Sequence, residues 1–169
     1  MDTRELLIDS FSRTGEVVRE VLEGLGVEDL SFRPDPEANS IGWLVWHLTR
    51  VQDDHLAGAL GKEQLWLAAG WMERFGLPFA PEAHGYGQTS AEVAAVRVPA
   101  ELLAGYNAAV AAETVRLLGE VSDGELDRVV DERWDPPVTL GVRLVSVLTD
   151  GLQHAGQAAY LRGLIQRQA

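Results

Sequence analysis

The stretch SIGWLVWHLTRVQDDHLAGAL, residues 40–60, decides the fold class of this chain. It opens on a serine, a good helix N-cap, and its apolar residues recur at three- and four-residue steps until Gly61 ends the pattern. Trp43 and Val51 fall within about 40° of His47 on a helical projection, so His47 lies inside the apolar stripe. The sequence therefore predicts a helix from residue 41 to about residue 60 that carries a histidine on its buried face.

Three further segments have the same helical periodicity. They run from Thr3 to about Leu25, from Pro99 to about Val121 and from Thr139 to about Gln166. Residues 62–99 lack it, apart from one short helix that Thr89 would cap, and a connection of this length is either a lid or an ordered cover. No strand alternation is evident. The sequence predicts an all-α four-helix bundle, a single domain over residues 1–169, with a long irregular loop between helices 2 and 3.

Composition excludes several classes of protein. Of the 169 residues, 46% are apolar and 24% are charged, as in an ordinary globular domain. The formal net charge of −12 disfavours binding to nucleic acid or to anionic lipid. The chain has no cysteine, which excludes disulfides, thiolate ligands and a cysteine nucleophile. With neither a signal-like start nor a long apolar run, we expect a cytoplasmic protein that binds neither membrane nor nucleic acid.

The predicted last helix also carries polar residues in its apolar stripe. Asp150 and His154 form an i, i+4 pair, a spacing that directs two side chains to one spot, and Arg143 falls on the same side. Such groups must be satisfied when buried. In one interpretation, Asp150 bonds to His154, Arg143 or Arg50, and His47 is an ordinary core histidine. In the other, His47, Asp150 and His154 hold a divalent metal with one coordination position open.

Four more polar residues are candidates for roles near such a site. Asp54 lies two turns beyond His47 on the same face, and His55 lies on the shoulder of that face, so either could orient a ligand or move a proton. An ordinary boundary hydrogen bond is the alternative for His55. Arg50 and Arg143 could hold a carboxylate of a cosubstrate or substrate.

Several motifs of this chain resemble the DinB/YfiT-like superfamily, and within it the DUF664 and mycothiol-transferase-like branch. They are IGWLVWHL at residues 41–48, the aromatic loop from Trp66 to Phe79 with Gly85-Tyr86-Gly87, and DxxxHxGQ at residues 150–157 with YLR at residues 160–162. The resemblance covers essentially the whole chain. It implies an up-down-down-up bundle, often a homodimer, with a metal held by one histidine on the second helix and an HxxxH or ExxxH pair on the last.

Residue by residue, His47 matches the first ligand of that family and His154 the last. Asp150 stands where the family more usually has histidine or glutamate. Its side chain is one methylene shorter than that of glutamate, so it would coordinate the ion directly or through a water.

The resemblance implies a function as well. A zinc or nickel ion held by His47, Asp150 and His154 would lower the pKa of a low-molecular-weight thiol such as mycothiol or bacillithiol. The thiolate would then attack an electrophile bound under the loop from Trp66 to Tyr86. The absence of cysteine fits a sulfur nucleophile that comes from outside.

Three other functions stay open at this stage. The protein could be a non-catalytic homodimer of a stress response that binds a metal or a small molecule. It could be a hydrolase, if the metal activates water instead of a thiol. Gly151, Gly156 and Gly163 on the last helix would also suit an interaction module, although packing within the bundle explains them equally well.

Overall fold

A computed structural model describes residues 1–167 of the chain, and most of these residues are helical, as predicted. In chain order the elements are α1 (Thr3–Leu22), α2 (Val27–Ser31), α3 (Ile41–Leu60), α4 (Leu65–Ala68), α5 (Trp71–Phe75), α6 (Ser90–Ala95), α7 (Ala100–Leu118), a 3-10 turn (Asp123–Glu125), β1 (Val129–Asp131), β2 (Val138–Thr139) and α8 (Leu140–Gln166). Within residues 1–167, no helix combines the length and hydropathy that a bilayer span requires.

The four long helices form the body of the fold. α3 packs against α7 and α8, and α1 packs against the same two helices. Side-chain caps fix the starts of three of them: Asp2 begins α1, Ser40 begins α3 and Thr139 begins α8. Each cap satisfies a backbone N–H that the first helical turn leaves unpaired.

The segment between α3 and α7 is more regular than predicted, because it contains α4 and α5 as well as the expected short helix α6. Trp66, Trp71 and Phe75 are buried, and their rings lie 5.3–5.7 Å from that of Tyr106 on α7. Aromatic side chains bury large apolar areas, so this segment, residues 61–99, is an ordered cover that completes the core. We call it the covering segment. The Trp66 end of the loop expected to cover an electrophile thus packs in the core, whereas its Tyr86 end lines open depressions.

A small antiparallel hairpin, which the sequence pattern does not predict, lies between α7 and α8. Val129 pairs with Thr139 and Asp131 pairs with Val138. Strands this short cannot show the alternation by which strands are recognised. Arg133 and Arg143 donate hydrogen bonds of 2.9 Å to Asp131, hold its pKa well below the usual range and tie the hairpin to α8. The fold is therefore mainly helical with one two-stranded hairpin, and not all-α as predicted.

A buried ion pair on α3 organises the covering segment. The Nη1 atom of Arg50 lies 3.8 Å from Oδ2 of Asp53, and both side chains are buried. The Asp53 carboxylate accepts hydrogen bonds from the backbone N–H groups of Leu65 and Trp66, at 2.9 and 2.7 Å, and so holds the start of α4. It also accepts a 2.8 Å bond from the hydroxyl of Tyr106. Burial raises the pKa of Tyr106, so its phenol remains a donor.

Replacing Asp53 by alanine tests this arrangement. Asp53→Ala leaves the Arg50 charge buried without its partner, and we expect it to lower the free energy of unfolding by about 3–5 kcal/mol. Urea denaturation followed by circular dichroism measures the change. The matched control is Asp9→Ala, which breaks an exposed pair with Arg13 and should leave the unfolding midpoint almost unchanged. Equal, small shifts in the two variants would contradict the role given to Asp53.

Candidate metal centre

His47, Asp150 and His154 come together at the seam between α3 and α8. Each offers one ligand atom, and these three atoms lie within 4.8 Å of one another. His47 is buried, whereas Asp150 and His154 are half-buried. Bonds of about 2.0–2.2 Å to one ion would place ligand atoms roughly 3–4 Å apart, so small side-chain adjustments suffice for all three to reach it. The three residues predicted as ligands thus lie within reach of one ion.

The His47 ring is fixed in one orientation and one tautomer. Its Nδ1–H donates a 2.5 Å hydrogen bond to the backbone carbonyl of His84, and the indole of Trp43 stacks on it with centroids 4.6 Å apart. Because a carbonyl only accepts, the proton sits on Nδ1 and Nε2 keeps its lone pair, as a metal ligand requires. Burial lowers the pKa of His47, which favours the neutral ring.

Gly85 makes the contact with His84 possible. A Cβ at this position would lie 2.5 Å from Nδ1 of His47 and 3.1 Å from the Trp43 ring. The φ angle of Gly85 is +102°, in the region that favours glycine. This role of Gly85 could not be predicted from the Gly85-Tyr86-Gly87 motif, because no spacing rule connects the motif with a histidine on α3.

His154 has a similar arrangement of its two nitrogens. Its Nδ1–H donates a 2.9 Å hydrogen bond to Oε1 of Gln157, and its Nε2 lies 3.5 Å from Oδ1 of Asp150. The hydrogen bond with Asp150 raises the pKa of His154. A cation bound at Nε2 would compete with a proton for the same lone pair.

Asp150 supplies the observation that most directly favours a cation. Its Oδ2 atom is buried and has no hydrogen-bond partner among the residues that the structure describes. Burial alone would raise the pKa of Asp150, but the hydrogen bond with His154 holds it below its usual value, so the carboxyl is ionised. An unpaired buried carboxylate oxygen is costly, and a metal ion would satisfy it. Two imidazoles and one carboxylate are a donor set that zinc and nickel accept.

Asp54 and His55 face a large depression beside the cluster of His47, Asp150 and His154, and we name this depression the polar cleft. It measures about 870 Å³, and its lining includes Asp54, His55, His84, Tyr86, Trp134 and Arg143. Oδ2 of Asp54 accepts a 2.8 Å hydrogen bond from Nδ1–H of His55, and Gln64 donates to its Oδ1 at 2.7 Å. Burial would raise the pKa of Asp54, but the bond with His55 keeps it low. The carboxylate therefore orients His55 and leaves its Nε2 available as a base.

The two predicted carboxylate-binding arginines lie in different environments. Arg143 lines the polar cleft and uses one amino group to bind Asp131. Arg50 is fully buried, its Nε donates a 3.1 Å hydrogen bond to the carbonyl of Ala83, and its guanidinium lies over the Trp66 ring. A substrate would reach Arg50 only if the loop at residues 83–84 moved. Arg143 is therefore the better candidate for a ligand contact, and Arg50 holds the covering segment.

Gly85→Ala tests whether the backbone at residues 84–85 positions His47. The added Cβ would push the ring away from the carbonyl of His84, and losing such a supporting bond weakens metal binding by about 10- to 100-fold. Zinc affinity measured by competition with a chromophoric chelator would report the loss. Gly87→Ala is the matched control, because Gly87 also has a positive φ but its Cβ would meet nothing within 4 Å. Equal affinities in the two variants would contradict the positioning role.

Two solved structures resemble this chain. A conserved protein from Enterococcus faecalis is 35% identical, with a TM-score of 0.89 and coverage of 96% of each chain. A DinB-like protein from Bacillus cereus is 18% identical, with a TM-score of 0.65, and the match covers 96% of this chain and 92% of that one. The second likeness shows the fold alone. No curated protein matches the chain.

The chain also matches a known protein family over almost its whole length. The family model described as mycothiol-S-transferase matches residues 6–167, which include the three clustered residues of α3 and α8 and the whole covering segment. The family resemblance predicted from the sequence motifs is thereby confirmed. The chain belongs to the mycothiol-S-transferase family.

Proposed function

We propose that this protein is a metal-dependent S-transferase that uses a low-molecular-weight thiol of the mycothiol or bacillithiol type. The observation that carries the proposal is the buried, unpaired Oδ2 of Asp150 beside two histidines whose Nδ1 atoms are both engaged by oxygen acceptors. Membership of the family supports the choice of a thiol as cosubstrate.

His47, Asp150 and His154 would hold the ion. Zinc or nickel bound there would supply a Lewis acid that lowers the pKa of a thiol. His84 and Gln157 keep the two imidazoles in the orientation that presents Nε2, so little reorganisation accompanies binding.

The polar cleft would take the thiol cosubstrate. Nε2 of His55, oriented by Asp54, would accept the proton of the S–H group and release it to solvent in the cleft. Arg143 would bind a carboxylate or hydroxyl of the cosubstrate, because only one of its amino groups is committed to Asp131. The sulfur would then form a bond to the electrophilic carbon while the leaving group departs with its electron pair.

A metal-dependent hydrolase is the second candidate function, and the Asp54–His55 pair is the observation that favours it. An oriented imidazole beside a metal ion would deprotonate water as readily as a thiol. The two functions differ in the nucleophile and share the same residues.

We also propose that the chain forms a homodimer. We propose that α1, α3, α7 and α8 form one up-down-down-up bundle domain and that two copies associate through the outer face of the N-terminal half of α8, which leaves residues 153–161 uncovered. Val142, Val145 and Leu152 are exposed on that face at steps of three and seven residues. A run of exposed apolar side chains on one helix face is typical of a protein interface.

Activity assays on two histidine variants test the S-transferase. We expect untagged protein loaded with zinc or nickel to join mycothiol or bacillithiol to monobromobimane, with release of bromide. His47→Ala should lose both the metal and turnover. His55→Gln should retain the metal, because His55 lies outside the cluster, and lose about 10²- to 10⁴-fold in kcat.

Metal content by mass spectrometry and product formation by chromatography give the readout. Full turnover by His47→Ala, or no effect of zinc and nickel on the melting temperature of the wild-type protein, would refute the proposal. Metal-dependent hydrolysis of an ester, with no thiol transfer, would replace it by the hydrolase.

Sedimentation velocity tests the assembly separately. We expect a dimer for the wild-type chain and a monomer for Val145→Glu, since a charge in an apolar interface loses its hydration without gaining a partner. Glu113→Gln, a change at a half-buried position on α7, serves as the control and should remain dimeric. A monomeric wild-type protein at micromolar concentration would contradict the proposed dimer.

A further inference from the structure

A second depression, which we name the apolar groove, lies on the α3–α8 seam beyond the cluster. Its lining includes Asn39, Leu44, Gln153, Gly156, Tyr160 and Leu161. It measures about 600 Å³, within the roughly 300–1,000 Å³ that is usual for small-molecule sites. Among residues 1–167, Glu37 is the one charged residue that lines it.

The two depressions lie on opposite sides of the metal cluster. Ser146 lines the polar cleft and Gln157 lines the apolar groove, and Asp150 and His154 come between them at steps of three or four residues along α8. Such steps keep side chains on one face of a helix, and Ser146 and Gln157 are separated by about 16 Å along the axis. The Gln157 side chain also accepts the hydrogen bond from His154, so one residue belongs to both the groove and the support of the cluster.

We propose that the apolar groove is the binding site for the electrophile, and that this electrophile is an uncharged, largely apolar molecule. This inference rests on the proposed S-transferase function. It assigns a substrate class to the apolar groove, which the thiol does not occupy. A thiol in the polar cleft and an electrophile in the groove would meet at the cluster between them, which is the arrangement that a two-substrate reaction needs.

The lining of the groove favours this class of ligand. The ring of Tyr160 is 66% exposed and would lose contact with water against an apolar ligand, whereas Leu44 and Leu161 form the buried floor of the groove. Glu37 and the overall charge of −12 disfavour an anion. The amides of Gln153 and Gln157 can bond to an uncharged polar substituent such as a nitro or carbonyl group.

The reaction can be written for 1-chloro-2,4-dinitrobenzene as the probe. The cosubstrate sulfur forms a bond to the ring carbon that carries chlorine, the carbon–chlorine bond breaks, and chloride leaves with the electron pair. The thiol proton goes to Nε2 of His55 and then to solvent. No oxidant or reductant is needed.

Two glycines allow each depression to be filled separately. Gly156 on α8 lines the apolar groove, and Gly58 on α3 lines the polar cleft. A Cβ at either position would meet nothing within 4 Å, so a leucine can enter the space without a clash at its base. Leucine also has the higher helix propensity, so both variants should fold.

Steady-state kinetics of the zinc-loaded variants tests the assignment. We expect Gly156→Leu to raise the KM for 1-chloro-2,4-dinitrobenzene by about tenfold or more and to leave the KM for the thiol unchanged. Gly58→Leu should do the reverse. An active Gly156→Leu variant with an unchanged KM for the electrophile would overturn the inference while the proposed function stood.

A binding measurement without turnover separates this inference from the proposed function. Saturation-transfer NMR with 1,3-dinitrobenzene, which lacks the leaving chlorine, should show binding to the wild-type protein and to Gly58→Leu but none to Gly156→Leu. That pattern would support the groove even if no thiol transfer were found. Equal binding by all three proteins would overturn it.

Discussion

The hydrogen bond from His47 to the carbonyl of His84 is the contact on which the rest of the site depends. It determines which nitrogen of His47 carries the proton, and it joins α3 to a covering segment far away in the sequence. The bond exists only because residue 85 has no side chain. The carbonyl of His84 and the lack of a side chain at Gly85 therefore make the buried His47 a candidate metal ligand.

The carbonyl of His84 is itself held in place by the buried charges of α3. Asp53 binds the start of α4, and Arg50 binds the carbonyl of Ala83, next to His84. The ion pair and the cluster of candidate metal ligands are thus linked through the covering segment. A buried pair contributes little net stability, so its value here lies in fixing the position of this segment.

Local patterns in the sequence predict the four long helices and the meeting of His47, Asp150 and His154. Helical period and N-cap residues reveal the helices, and the i, i+4 spacing of Asp150 and His154 identifies one side of the cluster. Whether these residues bind a metal stays a prediction. The role of Gly85 and the burial of Arg50 depend on contacts between distant parts of the chain, which no periodicity records. The hairpin at Asp131 was missed because its strands are too short. The electrophile site expected under the loop from Trp66 to Tyr86 is untested, and the apolar groove is proposed in its place because Trp66 packs in the core.

X-ray absorption spectroscopy at the zinc edge tests the central claim most directly, because it reports the atoms bound to the ion. The account predicts two imidazole nitrogens at about 2.0–2.1 Å and at least one oxygen in the wild-type protein, with one imidazole lost in His47→Ala. A spectrum without imidazole scattering, or one that is identical in the wild-type protein and the variant, would contradict it.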